Sequence, residues 1–226
     1  MHTDLCEVIT INTRSLDFSN YCYLIADEQR KEAFVVDPAW EAEKIIHEAE
    51  KRDCTLSGIL LTHAHNDHVN AVHPLAERYK LPVYMSQTEI DRYGFRVQGL
   101  EKLADLDQLQ VGAINITCIL TPGHTAGSMC YLTADSAFTG DTLFAEGCGA
   151  CDSDGSSADQ LFDSLQRLRK LIPPEARLYP GHSFSAFPGQ RMEQVLKENL
   201  YLAIRKKEEF IQFRMRKNQG SFFNFR

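Results

Sequence analysis

A chain of 226 residues, 43% hydrophobic and 24% charged, has the balance of a globular protein with one sizeable core. Its formal net charge of −7 argues against nucleic acid as a main partner, because phosphate neutralisation needs a basic face. The apolar runs are too short to span a membrane, and Met1-His2-Thr3-Asp4 lacks the basic and apolar regions of a secretion signal, so a cytoplasmic location is expected.

In chain order, residues 7–13, 20–25 and 33–36 are expected strands separated by turn residues. Residues 41–52 place Ile45, Ile46 and Ala49 on one side of a charged stretch, the pattern of an amphipathic helix. Residues 58–61 predict a buried strand, followed by a helix over 67–79, a short strand over 82–85 and a helical piece over 88–93. Strands are expected at 115–120, 129–133 and 136–138, then a helix over 158–171 that Pro173-Pro174 stops, and a last strand at 177–179. Residues 189–217 read as one long or two shorter C-terminal helices. The alternation predicts an α/β domain, helix layers against sheets, occupying the whole of 1–226.

Cysteines number seven, without regular spacing, so no disulfide framework is implied. Cys6, Cys22, Cys54, Cys118 and Cys130 lie in or beside apolar segments and read as packed free thiols. Cys148 and Cys151 form a lone Cys-x-x-Cys pair, without the second pair that a thiolate zinc site needs. Charge is uneven: from Arg205 to Arg226 there are seven Lys or Arg and two Glu. This tail is either a solvated helix face or a docking patch for an acidic partner.

The chemistry concentrates in Thr62-His63-Ala64-His65-Asn66-Asp67-His68, three histidines and an aspartate directly after an expected strand. Imidazole and carboxylate are the usual ligands of zinc and similar ions. His63 and His65, two apart in an extended loop, can point to one side, while Asp67 and His68 at a helix onset turn toward a second point. Three further segments, Thr121-Pro122-Gly123-His124, Thr139-Gly140-Asp141-Thr142 and Tyr179-Pro180-Gly181-His182, also place ligand-type residues just after strands. His2, His47 and His73 read as structural or solvent-facing.

Taken together, these motifs resemble the metallo-β-lactamase superfamily over about residues 8–185, and Gly140-Asp141-Thr142-Leu143-Phe144 with Gly147-Cys148-Gly149 is similar to its glyoxalase II branch. The resemblance implies a four-layer αβ/βα sandwich with the C-terminal helices appended. It implies two Zn²⁺ ions, with iron or manganese as alternatives. His63, His65 and His124 would hold the first, Asp67, His68 and His182 the second, and Asp141 would bridge them. A metal-bridging hydroxide is the expected nucleophile, with Asp67 orienting it. A thiol leaves as thiolate without a dedicated acid, so a thioester substrate is expected.

Arginine usually follows Gly-Cys-Gly in that branch, and Ala150 stands there instead; only 44 residues follow His182. Both departures count against S-lactoylglutathione as substrate. Length, Ala150 and the ending look most similar to zinc-dependent hydrolases of bacterial polyketide biosynthesis, which implies acyl groups on an acyl carrier protein as substrate. The acidic carrier would be steered by the net-positive tail. Alternatives are a hydroxyacylglutathione hydrolase and, from a similar motif series, a mononuclear-iron persulfide dioxygenase. A nuclease of the same fold is disfavoured by the acidic balance. Oligomeric state is not readable.

Overall fold

The computed structural model describes residues 6–16 and 18–217. Strands β1 (Cys6–Ser15) and β2 (Phe18–Asp27) form a long antiparallel hairpin with Cys6 opposite Asp27 and Ser15 opposite Phe18. β3 (Glu32–Val36) turns back along β2, helix α1 (Ala42–Glu50) crosses over, and β4 (Thr55–Leu60) lies parallel to β3. After the short helices α2 (Asn66–Val69) and α3 (Val72–Tyr79), strand β5 (Val83–Ser86), helix α4 (Gln87–Tyr93) and strand β6 (Leu100–Leu103) complete a six-stranded sheet in the order β1 to β6.

The second sheet begins with β7 (Gln108–Val111), β8 (Ile114–Leu120), β9 (Met129–Leu132) and β10 (Ser136–Gly140). Helix α5 (Ala158–Leu171) then leads to β11 (Arg177–Pro180), parallel to β10, and the two-residue strand β12 (Gln190–Arg191). Helices α6 (Met192–Glu198), α7 (Leu200–Ala203) and α8 (Lys207–Arg214) follow.

Strand alternation explains the layering. On β2, Cys22, Leu24 and Ala26 face α1, α3 and α4, while Tyr21, Tyr23 and Ile25 face the other sheet with Phe138, Tyr131 and Ile116. The outer face of the second sheet, with Cys130, Ala137 and Leu178, packs under Leu161, Leu165 and Leu168 of α5 and Phe210 of α8. The result is the expected four-layer αβ/βα sandwich. Tyr23 Oη donates to Pro180 O (2.5 Å), Tyr131 Oη to Leu61 O (2.7 Å) and Tyr21 N to Gly181 O (2.9 Å), which ties the sheets together beside the ligand loops. Among the described residues no helix is long and apolar enough to cross a membrane.

Some local expectations differ. β6 and β7 are strands although Leu-Glu-Lys-Leu and Gln-Leu-Gln-Val carry little apolar signal, because each is a sheet edge that buries only part of its side chains. The helix expected over 67–79 breaks at Asn70-Ala71, where Ala71 N donates to Pro38 O instead of continuing the helical ladder (3.2 Å). The C-terminal stretch holds three short helices. Buried Asn199 divides them: its Oδ1 accepts from Tyr201 N and Leu202 N, and its Nδ2 donates to Phe144 O and Gly147 O.

Candidate metal centre

All the ligand-type residues singled out in the sequence gather at one edge of the sandwich, past the C-terminal ends of β4, β8, β10 and β11. One donor atom from each of His63, His65 and His124 lies within 4.8 Å of the others, and the same holds for Asp67, His68 and His182. Asp141 stands between the two groups. Its Oδ2 is 3.6 Å from His124 Nε2 and 3.5 Å from His182 Nε2, and its Oδ1 is 3.5 Å from His68 Nε2. Gly181 is required here, since a Cβ on it would collide with the His68 ring and Asp141 Oδ1.

Partners of the ring nitrogens decide which atoms point inward. His124 Nδ1 donates to Ala150 O (2.8 Å) and His182 Nδ1 to Ser19 O (3.0 Å), because a carbonyl can only accept. Asp37 Oδ2 accepts from His68 Nδ1 (2.9 Å) and from Thr62 Oγ1 (2.5 Å), whose oxygen in turn accepts from His63 Nδ1 (3.0 Å). Four rings therefore turn Nε2 toward the centre, the outer bonding expected of metal-binding histidines. His65 uses the other nitrogen: its Nδ1 faces His124 Nε2 at 3.1 Å. His63 Nε2, His68 Nε2 and Asp141 Oδ1 are buried with no hydrogen-bond partner. Orphaned acceptors cost free energy unless something fills the space, and a cation satisfies all three. This donor set of imidazoles and carboxylates fits zinc.

Electrostatics differ across the centre. Burial, reinforced by His68 and His124, holds His63 well below its ordinary value and, with His124, brings His65 down to about 4. Burial would also depress His68, but Asp141, Asp67 and Asp37 raise it to about 10. Asp67 is held well below the carboxylate range: burial opposes this, but His68, His182 and a hydrogen bond from Asn20 prevail. The three-imidazole side therefore favours neutral rings, while the carboxylates on the other side favour the protonated form of His68.

Above the centre opens a cavity of about 440 Å³. Its walls are aromatic, with Phe18 against Trp40 (ring centroids 5.9 Å) on one side and Phe144 against Phe184 (5.4 Å) on the other. Ala150 and Asp152 stand at its margin, and among the described residues no Lys or Arg lines it.

Two supporting residues were missed in the sequence. Asp37, at φ 48°, follows the apolar run of β3 and precedes a proline, a weak signal for a buried carboxylate aimed at a site. Asn20 donates to Asp67 Oδ2 (3.0 Å) while its own Oδ1 accepts from Trp40 Nε1 (2.8 Å); nothing in its strand context marks it. His47 and His73 are exposed, as expected, and His2 lies outside the described residues. All seven cysteines are free. Burial pushes the Cys151 thiol to about 11 and raises Cys148 further, as for packed thiols.

In the basic tail, Lys207 pairs with Asp159 and Asp163 (3.2 and 2.7 Å), Lys206 with Glu209 (3.0 Å), and Arg214 is buried beside Tyr201. Residues 218–226 lie outside the described residues.

Residues 16–182 match the model of the metallo-β-lactamase superfamily. A Bacillus velezensis protein named probable polyketide biosynthesis zinc-dependent hydrolase BaeB is 53% identical over 97% of this chain and 98% of its own length. A Bacillus subtilis protein named probable polyketide biosynthesis zinc-dependent hydrolase PksB is 48% identical over the same shares. Among solved structures, ETHE1 from Myxococcus xanthus superposes with a TM-score of 0.83 at 30% identity, covering 94% of this chain and 92% of its own.

Proposed function

This chain belongs to the metallo-β-lactamase superfamily, and from that premise we propose that it is a two-zinc hydrolase of acyl thioesters carried on the phosphopantetheine arm of an acyl carrier protein. The observation that carries the reading is the convergence of seven ligand-type side chains, with orphaned donor atoms, beneath an aromatic cavity. Relatives named as polyketide zinc-dependent hydrolases point to the biosynthetic setting.

His63, His65 and His124 would hold one ion, Asp67, His68 and His182 the other, with Asp141 serving both. Zinc, when bound, polarises a carbonyl and lowers the pKa of water from about 15.7 to about 7. Asp67 is held by Asn20 (3.0 Å), so its carboxylate can orient the attacking water. Phe18, Trp40, Phe144 and Phe184 give an acyl chain apolar surface and exclude solvent. A thiol of pKa about 8.5 departs as thiolate, so no general acid is needed on the leaving side.

Charge favours the pantetheine arm over glutathione. The arm's amides are neutral, whereas glutathione brings carboxylates to a cavity that, among the described residues, no Lys or Arg lines. Arg205, Arg216 and Lys217 are exposed on the C-terminal segment and can attract an acidic carrier protein. The test is hydrolysis of a thioester panel by the zinc-loaded protein. Carrier-protein conjugates are expected to be cleaved with the highest kcat/KM, ahead of coenzyme A and glutathione conjugates. Preference for glutathione conjugates, or oxygen uptake with one iron per chain and no thioester turnover, would overturn the proposal.

A further inference from the structure

Glu89 is a fully buried carboxyl group in α4 that the hydrolysis described above does not use. Its two oxygens reach two different loops. Oε1 accepts from Ala64 N (2.8 Å), the residue between His63 and His65. Oε2 accepts from Gly127 N and from Thr125 Oγ1 (both 2.9 Å), just beyond His124. Three donors converge on one side chain, a role that a carboxylate fills and an amide cannot, because an amide would turn an NH₂ toward a donor.

The contact is close along its length. Ser86, the N-cap of α4, accepts from Glu89 N (3.1 Å) and donates to Gly127 O (2.5 Å). A Cβ at position 127 would run into the Glu89 backbone nitrogen, so glycine there lets the helix start press against the turn after His124. The first loop leaves a strand of one sheet and the second leaves a strand of the other. The three-imidazole group is therefore assembled from two separate layers, with Glu89 bonded to both loops that supply it. The Asp67, His68 and His182 group rests on different supports, Asp37 and Asn20.

We propose that Glu89 is a positioning residue that sets the separation of the His63/His65 and His124 loops and so governs metal affinity at the three-imidazole site, selectively over its neighbour. The proposal rests on the two-ion reading above. Its test is zinc binding by the full chain, measured by chelator competition after demetallation and reloading, with circular dichroism as a check on folding. Wild-type protein is expected to bind two ions. Glu89→Gln is expected to weaken one of them by about 10–100-fold, the usual cost of losing an outer support of a metal ligand, and to leave the other unchanged. Thr125→Val removes one of the three bonds and should weaken the same ion by less. In a His65→Ala background, which already lacks the three-imidazole site, adding Glu89→Gln should leave the remaining ion unaffected.

Two ions at wild-type affinity in folded Glu89→Gln, or equal weakening of both, would overturn the positioning role. If Glu89→Gln does not fold, the decision falls to Thr125→Val: weakening of one ion supports the role, and unchanged or equally weakened binding refutes it. Fewer than two ions on the wild-type protein would instead sink the two-ion reading, so the two failures are distinguishable.

Discussion

At the floor of the cavity, His63, His68 and His182 are at most 2% exposed and each has its outer ring nitrogen tied to a named partner. At the rim, Phe18 is 39% exposed and packs ring to ring against Trp40, and Asp152 faces solvent. The floor is over-determined and the rim is not. An over-determined floor keeps donor atoms in place before any ion arrives, which is what a centre that must bind metal and act on water requires. A loosely held rim can change side chains without disturbing that chemistry, so substrate choice can diverge while the reaction class stays the same.

The largest effect should come from the floor. Asp141→Ala removes the carboxylate placed between both ligand groups, and is expected to abolish turnover and metal retention, beyond the roughly 100-fold typical of outer supports. Two metals per chain with full turnover in that variant would contradict the assignment. One step beneath the floor, Asp37→Asn loses the acceptor shared by Thr62 and His68 and should reduce metal affinity by about 10–100-fold, read by chelator competition. Unchanged affinity would show that Asp37 is only structural.

Changes at the rim should shift preference rather than rate. Ala150→Arg places a cation beside the cavity and is expected to raise kcat/KM for glutathione thioesters by several-fold relative to neutral ones, with the metal count unchanged. Loss of metal instead would mean that residue 150, whose carbonyl holds His124, belongs to the floor. The smallest effect is expected outside the cavity. Reversing Arg205, Arg216 and Lys217 to Glu should slow hydrolysis of carrier-bound thioesters at low salt and spare small soluble ones. Equal effects on both substrate types would remove the docking idea.

The same division explains what could be read from the sequence. The ligands were visible because metal chemistry restricts residue types, and because four of them crowd into His63-Ala64-His65-Asn66-Asp67-His68 after a buried strand. The layered architecture followed from strands alternating with amphipathic helices. Asp37, Asn20 and Glu89 were invisible as site residues because each is a single polar side chain whose meaning depends on a loop far away in the chain. Asp37 meets Thr62, and Glu89 meets both Ala64 and Gly127. The tail shows the opposite failing. Its charges were counted correctly, but Asp159 and Asp163 of α5, distant in sequence, cancel Lys207, and Arg214 turns inward. β6 and β7 escaped notice because an edge strand need not be apolar.

Everything proposed for this chain depends on two cations occupying the space that the orphaned donor atoms surround. Elemental analysis of the purified protein, with concentration fixed by amino-acid analysis, measures that directly. Two zinc ions per chain, both released by chelation together with the loss of thioesterase activity and both restored on reloading, is the predicted result. One ion or none, with activity that survives complete demetallation, would contradict it.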